Sequence, residues 1–178
     1  MYKLLISLLL CCMFQQDTNV VPWNPDYRLQ WSDFEAKPRR NGDVVAVTAS
    51  GLTFGYSTKK YSDGRVSYDF EVTAHFYPDR SYYLRDHVTD VTLAHERLHF
   101  DITELHARKF RARVRATRFT QNIDAEMEKI HQEINQELRE MQQQYDKETD
   151  HSRIVENQVI WNDMVAKALE DTKRLADQ

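Results

Sequence analysis

The sequence predicts an α+β fold, in which a small antiparallel sheet in the N-terminal part packs beside a long antiparallel helical hairpin and a third, C-terminal helix. All 4 glycines and all 4 prolines precede position 79, so residues 79–178 lack the two residue types that most often interrupt helices. Before that point, one segment alternates apolar and polar residues, as half-buried strands do. After it, apolar residues recur every three or four positions, as on one face of a helix.

The strands are predicted from segments upstream of position 79. Residues 44–48 are mostly β-branched, and apolar residues continue the pattern at positions 52, 54 and 56. A turn signal, Ser-Asp-Gly, follows at residues 62–64. From Val66 to Tyr77 the residues alternate, which indicates an antiparallel strand with one buried face. Two upstream aromatic residues, Trp31 and Phe34, are expected to pack against this sheet.

Three helices are predicted in the remainder of the chain. Apolar residues recur with helical spacing in residues 91–119, 123–145 and 154–175. The middle segment has the clearest stripe, with successive spacings of four and three residues. Short links near residues 120–121 and 149–150 predict that consecutive helices fold back antiparallel. Residues equidistant from the first link are therefore expected to lie side by side.

Composition limits the classes of function. The chain has 178 residues, of which 41% are hydrophobic and 29% charged, which is typical of a single globular domain. The 24 basic and 28 acidic residues give a net charge of −4, which argues against nucleic acid as the main partner. No apolar run reaches 18 residues, so we expect no membrane span in the mature chain.

The N-terminus predicts export. Lys3, an apolar run at residues 4–14 and a polar exit have the layout of a secretory signal peptide over residues 1–16. The alternative is a buried N-terminal strand or short helix. Cys11 and Cys12 loosely resemble a lipoprotein acylation site, which would add a lipid anchor, although the usual small residue before the cysteine is missing. We expect a periplasmic, cell-surface or secreted bacterial protein.

Both cysteines lie in this leader. The mature chain would therefore contain no disulfide, no cysteine-based zinc site and no thiol nucleophile. The available chemistry is reduced to histidines, carboxylates and hydroxyl groups.

The sequence His-Glu-Arg-Leu-His at residues 95–99 is an H-E-x-x-H motif in the first predicted helix. Residues four apart lie one turn above each other, so His95 and His99 can bind one Zn²⁺ from the same face. Glu96 lies to one side, where it can reach a zinc-bound water without being a ligand. Zinc lowers the pKa of that water towards 7, and the carboxylate takes its proton as it attacks a carbonyl.

The third zinc ligand must come from another part of the chain. The chain lacks the metzincin extension of this motif, in which a glycine and a third histidine follow. Ile102 and Leu105 occupy those two positions. His106 lies about 10 Å further along the helix axis than His99, too far to share one ion. Counting back from the hairpin turn places His99 level with about Gln142 and His95 level with about Asp146, so residues 145–151 should arrive at the metal.

Within that segment His151 is the preferred third ligand, because it stands at the start of a loop where a side chain can turn inward. Glu148, Asp150 and Glu156 are the alternatives. Tyr145, at the level of the metal, could donate to the developing oxyanion. Its other interpretation is the last residue of the apolar core stripe.

Two further features are predicted on the surface of the first helix. Asp101 is expected on the solvent side, as a surface or capping partner, with support of a metal ligand as the alternative. Four arginines form a basic ridge, which could bind nucleic acid or anionic lipid or could be a solvated helix face. We expect the solvated face, with Glu104 pairing to the arginine four residues later. The ridge consists of Arg108, Arg111, Arg115 and Arg118.

Three segments resemble an uncharacterised bacterial family described as predicted secreted zinc-dependent proteases, a domain of unknown function. They are residues 29–34 (LQWSDF), 93–102 (LAHERLHFDI) and 145–151 (YDKETDH). The resemblance covers most of the mature chain in the same order. It implies that His95 and His99 are ligands, that Glu96 is the base and that His151 belongs to the site. Between Glu96 and His99 that family often has Gln and Gly where this chain has Arg and Leu, at positions that need not touch metal.

We therefore expect an exported zinc-dependent metallopeptidase, with Zn²⁺ as cofactor and a peptide or protein as substrate. Residues 17–178 would form a single zincin-like domain. Two alternatives stay open, namely a zinc-dependent amidase acting on cell-wall material and a non-catalytic metal-binding or adhesion module of the same fold. Dependence of turnover on Glu96 would separate either enzyme from the module. The sequence leaves the oligomeric state open.

Overall fold

The computed structural model describes residues 19–38 and 44–175. It confirms the predicted α+β class, with antiparallel strands in the N-terminal part followed by three helices. The predicted signal peptide at residues 1–16, including Cys11 and Cys12, lies outside the described residues. None of the helices in the described part of the chain is both long and apolar enough to cross a bilayer.

Within the described residues, five strands form two small sheets. In the larger sheet β4 lies between β1 and β3, and in the smaller sheet β2 pairs with β5; all pairings are antiparallel. Gly64, at φ +89°, forms the turn between β3 and β4, where a residue without a Cβ adopts left-handed backbone without strain. The strands are β1 (Val21–Pro22), β2 (Ala46–Val47), β3 (Ser50–Lys60), β4 (Val66–Phe76) and β5 (Tyr82–Tyr83).

The predicted continuity from residues 44–48 into the next strand is interrupted, because the chain changes sheets between β2 and β3. Side chains hold the crossing in place. The Thr48 hydroxyl donates to the backbone carbonyl of Glu96 (3.2 Å), and the Ala49 amide donates to the Ser81 hydroxyl (2.9 Å). The first of these bonds fixes β2 beside the helix that carries the H-E-x-x-H motif.

The alternation predicted for β4 is confirmed. Its apolar residues face the helices and become more buried along the strand, from half-buried Val66 to fully buried Phe76. This face joins the larger apolar cluster, which also contains Phe110 of the first helix and Ile134 of the second. Burial of side chains of this size contributes about 1.5–3 kcal/mol each, so this face fixes the sheet on the hairpin.

The three helices are α1 (Asp90–Ala116), α2 (Ile123–Thr149) and α3 (Val155–Asp171). Thr89 caps α1: its hydroxyl accepts from the Thr92 amide (3.3 Å), and the Thr92 hydroxyl accepts from the Thr89 amide (3.2 Å). The motif therefore lies just after the first turn of α1. A smaller apolar cluster joins the three helices at this end of the hairpin and comprises Leu98, Ile102, Leu138, Tyr145, Trp161 and Val165.

The predicted solvent position of Asp101 is wrong. Asp101 is 8% exposed, because the N-terminal segment of the chain crosses this face of α1. Its carboxylate accepts hydrogen bonds from the Trp23 indole (2.8 Å) and the Arg28 guanidinium (2.7 Å). On the same face, the Arg97 guanidinium donates to the Leu29 carbonyl (2.6 Å). Asp101 therefore anchors the N-terminal segment.

The predicted solvated ridge is also wrong for two of its four arginines. Arg108 and Arg111 are 4% and 6% exposed, and both donate to the buried Glu104 carboxylate, at 2.8 and 3.2 Å. The predicted pair between Glu104 and Arg108 is present. Arg111 also donates twice to the Val72 carbonyl of β4, at 3.0 and 2.6 Å. This buried ion cluster links α1 to the sheet.

His106 gives a pH-dependent contribution to stability. It is buried, its Nδ1 lies 2.9 Å from the Ile102 carbonyl oxygen, and Lys109 approaches its Nε2 at 3.4 Å. Burial lowers the pKa of His106 to about 4. Because this pKa lies below the ordinary value, the unfolded state binds more protons between pH 6.5 and 4, and stability falls as the pH drops through that range.

We expect His106→Gln to lose less stability on acidification than the parent protein. Each pKa unit corresponds to 1.36 kcal/mol, so the variant should lose about 2 kcal/mol less between pH 7 and pH 4.5. Urea unfolding at both pH values measures the difference, which is independent of any constant cost of the substitution. Equal losses in the two proteins would contradict a neutral, buried His106.

Candidate metal centre

Three side chains from two helices converge at the open end of the hairpin. The Nε2 atoms of His95 and His99 lie 3.1 Å apart, and Oδ1 of Asp146 lies 3.0 Å from each of them. Their spacing on α1 places the two imidazoles on one face, one turn apart. The antiparallel α2 brings Asp146 opposite them. In the described part of the chain, this is the group of histidine and acidic side chains close enough to share a metal ion.

Two glutamines orient the imidazoles. The Gln158 side-chain oxygen lies 3.0 Å from Nδ1 of His95, and the Gln142 side-chain oxygen contacts Nδ1 of His99. The amide nitrogens donate elsewhere, from Gln158 to Asn162 (3.1 Å) and from Gln142 to the His99 carbonyl (2.9 Å). These bonds keep a hydrogen on Nδ1 of each imidazole, so Nε2 is the nitrogen that faces Asp146. Nε2 can donate to the carboxylate when the ring is doubly protonated, or bind a metal ion when it is not.

The charges at this centre favour a bound cation. Burial raises the pKa of Asp146, but hydrogen bonds from His95 and His99 outweigh it and hold the pKa well below its usual value. Burial lowers the pKa of His99, and the hydrogen bond to Asp146 with the charge of Glu96 raises it overall. The fold thus stabilises an anionic carboxylate beside a protonated imidazole. A metal ion would take the place of that proton.

The donor set fits a zinc ion in chemistry and in spacing. Two imidazole nitrogens and one carboxylate oxygen make up one of the ligand sets of catalytic zinc. Three ligands at about 2.0–2.1 Å in a tetrahedral arrangement stand about 3.3 Å apart. The spacings of 3.0, 3.0 and 3.1 Å are within a few tenths of an ångström of that value.

Glu96 is next to this group but takes no part in it. It is 5% exposed and lines the cavity described below. Within residues 19–38 and 44–175, no hydrogen bond or ion pair involves its carboxylate. Every fully enclosed side-chain oxygen of the described residues has a hydrogen-bond partner, so the carboxylate oxygens of Glu96 are open to the cavity. An unpaired carboxylate beside a metal centre is available to a water molecule or a substrate.

A cavity of about 1060 Å³ opens onto these groups. One wall is formed by residues 44–48 with the start of β3, and the loop at residues 150–153 forms one end. The opposite wall is a polar stripe on α2, spaced as one helix face. The stripe consists of Asn135, Arg139, Gln142, Gln143 and Asp146.

The structure does not bring His151 into the group of ligand atoms. His151 follows the end of α2, its side chain is 66% exposed, and its Nδ1 lies 3.6 Å from Oδ1 of Asp146. Asp150, His151 and Ser152 all have positive φ, between 45° and 76°, a conformation that costs about 1–3 kcal/mol per residue. This tight turn directs the chain into α3, which carries Gln158 to His95. His151 therefore lines the cavity beside Asp146, outside the three-atom group.

The three alternative ligands also lie outside the group. Glu148 is exposed and accepts a hydrogen bond from the Trp161 indole (2.8 Å). Asp150 lines the cavity but pairs with Arg153 at 3.4 Å. Glu156 is exposed in the first turn of α3.

Tyr145 is a core residue, which is the second of the two interpretations offered for it from the sequence. It is fully buried, its ring stacks on His95 with centroids 4.3 Å apart, and its hydroxyl donates to the Gln158 side chain (2.7 Å). Burial raises the pKa of Tyr145, so the hydroxyl stays protonated. It is not among the residues that line the cavity in the described structure. The position supports His95 and does not bring the hydroxyl to a substrate.

Asp146, Gln142 and Gln158 are not among the site residues predicted from the sequence. The hairpin count placed His95 level with Asp146 and His99 level with Gln142, and both pairs are in contact. That register was therefore a usable signal for Asp146 and Gln142. Gln158 had none, because its approach depends on the turn into α3.

Comparison with known protein families gives a match. The sequence profile described as "Bacterial protein of unknown function (DUF922)" matches residues 24–152, a span that includes the H-E-x-x-H motif and Asp146. Searches of curated proteins and of solved structures found no match.

Proposed function

The chain belongs to DUF922, a bacterial family of unknown function, and we propose that it is an exported zinc-dependent metallopeptidase. One observation carries the proposal. His95, His99 and Asp146 direct three ligand atoms to one point, about 3 Å from one another, beside the unpaired carboxylate of Glu96. In this assignment Asp146 replaces His151 as the third ligand. Export rests on the apolar leader predicted at residues 4–14.

The roles of the side chains follow from their positions. His95, His99 and Asp146 would hold Zn²⁺, which supplies the positive charge that polarises a carbonyl and makes a water molecule acidic near neutral pH. Glu96 accepts a proton from the attacking water and returns it to the leaving amide nitrogen. Gln142 and Gln158 keep both imidazoles in the tautomer that can bind metal.

Glu96 is the feature that favours zinc hydrolysis over iron chemistry. Two histidines and one carboxylate also bind Fe²⁺ in oxygenases. Those reactions activate oxygen and do not need a carboxylate base beside the metal. A buried Glu96 with no partner among the described residues suits proton transfer from water in hydrolysis.

The cavity suits an extended peptide. Its α2 wall runs from Asn135 to Asp146, about 16 Å at 1.5 Å per residue, which matches about five residues of extended chain. Across the cavity, β2 pairs with β5 on one side, and no strand in the described residues pairs with its other side. A substrate strand could therefore add to β2 by backbone hydrogen bonds.

Glu96→Gln is the test of this function. We expect the variant to bind zinc as the parent does and to lose peptide hydrolysis by about 10³-fold in kcat/KM, because it cannot take a proton. The measurement uses purified residues 17–178, one equivalent of zinc, and a fluorescence-quenched peptide library; elemental analysis gives the zinc content.

Glu140→Gln is the matched control, because Glu140 is exposed on α2 and does not line the cavity. It should hydrolyse peptides as the parent does. If the parent protein binds zinc but hydrolyses no peptide, the non-catalytic metal-binding module becomes the favoured function. Equal activity of Glu96→Gln and the parent would exclude Glu96 as the base.

A further inference from the structure

We propose that Arg139 forms a carboxylate-binding subsite in the cavity, so that the preferred substrate carries an acidic side chain or its own C-terminal carboxylate two or three residues from the scissile bond. The reference to a scissile bond rests on the proposed function. The subsite itself rests on the position and charge of Arg139.

Arg139 is the free cation of the cavity within the described residues. It lines the cavity from α2 and is exposed, and no hydrogen bond or ion pair among the described residues involves its guanidinium. The other arginine of the lining, Arg153, pairs with Asp150 at 3.4 Å. An unpaired guanidinium offers a planar, two-pronged donor that matches a carboxylate.

The charge balance of the cavity points to an anionic substrate. Three carboxylates and two guanidinium groups line it, which gives one net negative charge when the histidines are in the neutral form that binds metal. A divalent cation at the metal centre changes this to one net positive charge. Glu96 and Asp146 are then next to the metal and Asp150 is paired, so the excess positive charge is on Arg139.

The distance from the metal centre sets the position of the carboxylate. Arg139 precedes Asp146 by seven residues, or about 10 Å along the axis of α2. An extended peptide advances about 3.3–3.6 Å per residue. A carboxylate on Arg139 therefore belongs to a residue two or three positions from the carbonyl at the metal. Gln143, one turn further along the same stripe, adds an amide donor, whereas the amide nitrogen of Asn135 donates to the His131 carbonyl (2.9 Å).

Peptide binding tests the subsite without requiring turnover. The protein is zinc-loaded Glu96→Gln, and the probes are fluorescein-labelled octa-alanine peptides with an amidated C-terminus and one glutamate at each internal position in turn. Matched peptides carry glutamine. A further pair of all-alanine peptides differs in a free or an amidated C-terminus. Fluorescence anisotropy gives each Kd.

We expect one or two glutamate positions, or the free C-terminus, to bind at least tenfold more tightly than the uncharged counterpart. Adding Arg139→Gln should reduce the ratio to less than twofold. Adding Arg118→Gln, which removes the same charge from an exposed site at the other end of the hairpin, should preserve it. A preference among internal positions identifies an acidic side chain, and one for the free terminus identifies the C-terminal carboxylate.

The subsite is rejected if no peptide with a carboxylate binds more tightly than its uncharged counterpart. It is also rejected if none of the peptides binds. A preference that survives Arg139→Gln rejects it as well. Hydrolysis of the same peptides by the parent protein is scored separately. A carboxylate preference in binding without hydrolysis by the parent would support the subsite and reject the peptidase function. Hydrolysis without a carboxylate preference would support the peptidase function and reject the subsite.

Discussion

Replacing Asp146 with asparagine is expected to weaken zinc binding by on the order of 100-fold or more, because the variant loses the anionic ligand of the metal. Replacing His151 with alanine should change the affinity less than about threefold, since its imidazole lies outside the three-atom group. Competition with a chromophoric chelator at pH 7.5 measures both constants. The two variants therefore decide between the ligand assigned by geometry and the ligand preferred from sequence.

The converse result would restore the prediction made from sequence. If His151→Ala loses zinc and Asp146→Asn keeps it, the turn at residues 150–152 must rearrange on metal binding and bring the imidazole inward. His95→Ala serves as the positive control, because either ligand set requires it. Both test variants should keep the far-UV circular dichroism of the parent.

Glu104→Gln is expected to destabilise the protein by about 3–5 kcal/mol, since it leaves two buried guanidinium groups without a counter-charge. Arg108 and Arg111 are both nearly fully buried and both donate to this carboxylate. For a chain of this size the loss corresponds to a fall in Tm of roughly 10 °C. Urea unfolding at pH 7 measures the free energy directly.

Glu133→Gln is the comparison for that experiment. Glu133 lies on the exposed side of α2, 3.8 Å from Lys129 and 3.7 Å from Arg113, and exposed pairs contribute about 0–1 kcal/mol. A similarly small loss in Glu104→Gln would show that water solvates the guanidinium groups of Arg108 and Arg111.

Much of the fold could be predicted because its periodicities are local. The alternation in β4 and the stripe on α2 each follow from one buried face, and the sequence alone shows which residues form that face. The break between β2 and β3 could not be predicted in this way. It depends on hydrogen bonds of Thr48 and Ala49 to residues far along the chain.

The site was predictable to the extent that it lies on one helix. The i, i+4 spacing predicts the His95 and His99 pair, whereas Asp146 depends on the register of a second helix. On sequence alone Asp146 is one of several acidic residues on a charged helix face. Only the tertiary structure singles it out, because α2 places its carboxylate opposite both imidazoles.

The surface predictions for α1 failed for one physical reason. A charged residue opposite the ligand face normally indicates solvent, but the N-terminal segment and β4 cover that face of α1. Asp101 and Arg111 are buried there with partners more than 35 residues away in the chain. Helical periodicity gives the direction of a side chain and does not show what covers it.

The hairpin places the metal centre at the end of a long lever. The turn near residues 121–122 lies about 36 Å from Asp146, at 1.5 Å per residue of α2, so a change of 3° in the angle between α1 and α2 would move Asp146 by about 2 Å. Ligand distances in a metal site tolerate only about 0.2 Å. The angle must therefore be held near the site, where Tyr145 and Trp161 pack α3 against both arms. Mechanically, the smaller apolar cluster sets the distance between α1 and α2 at the metal centre, while the distant turn only connects the two helices.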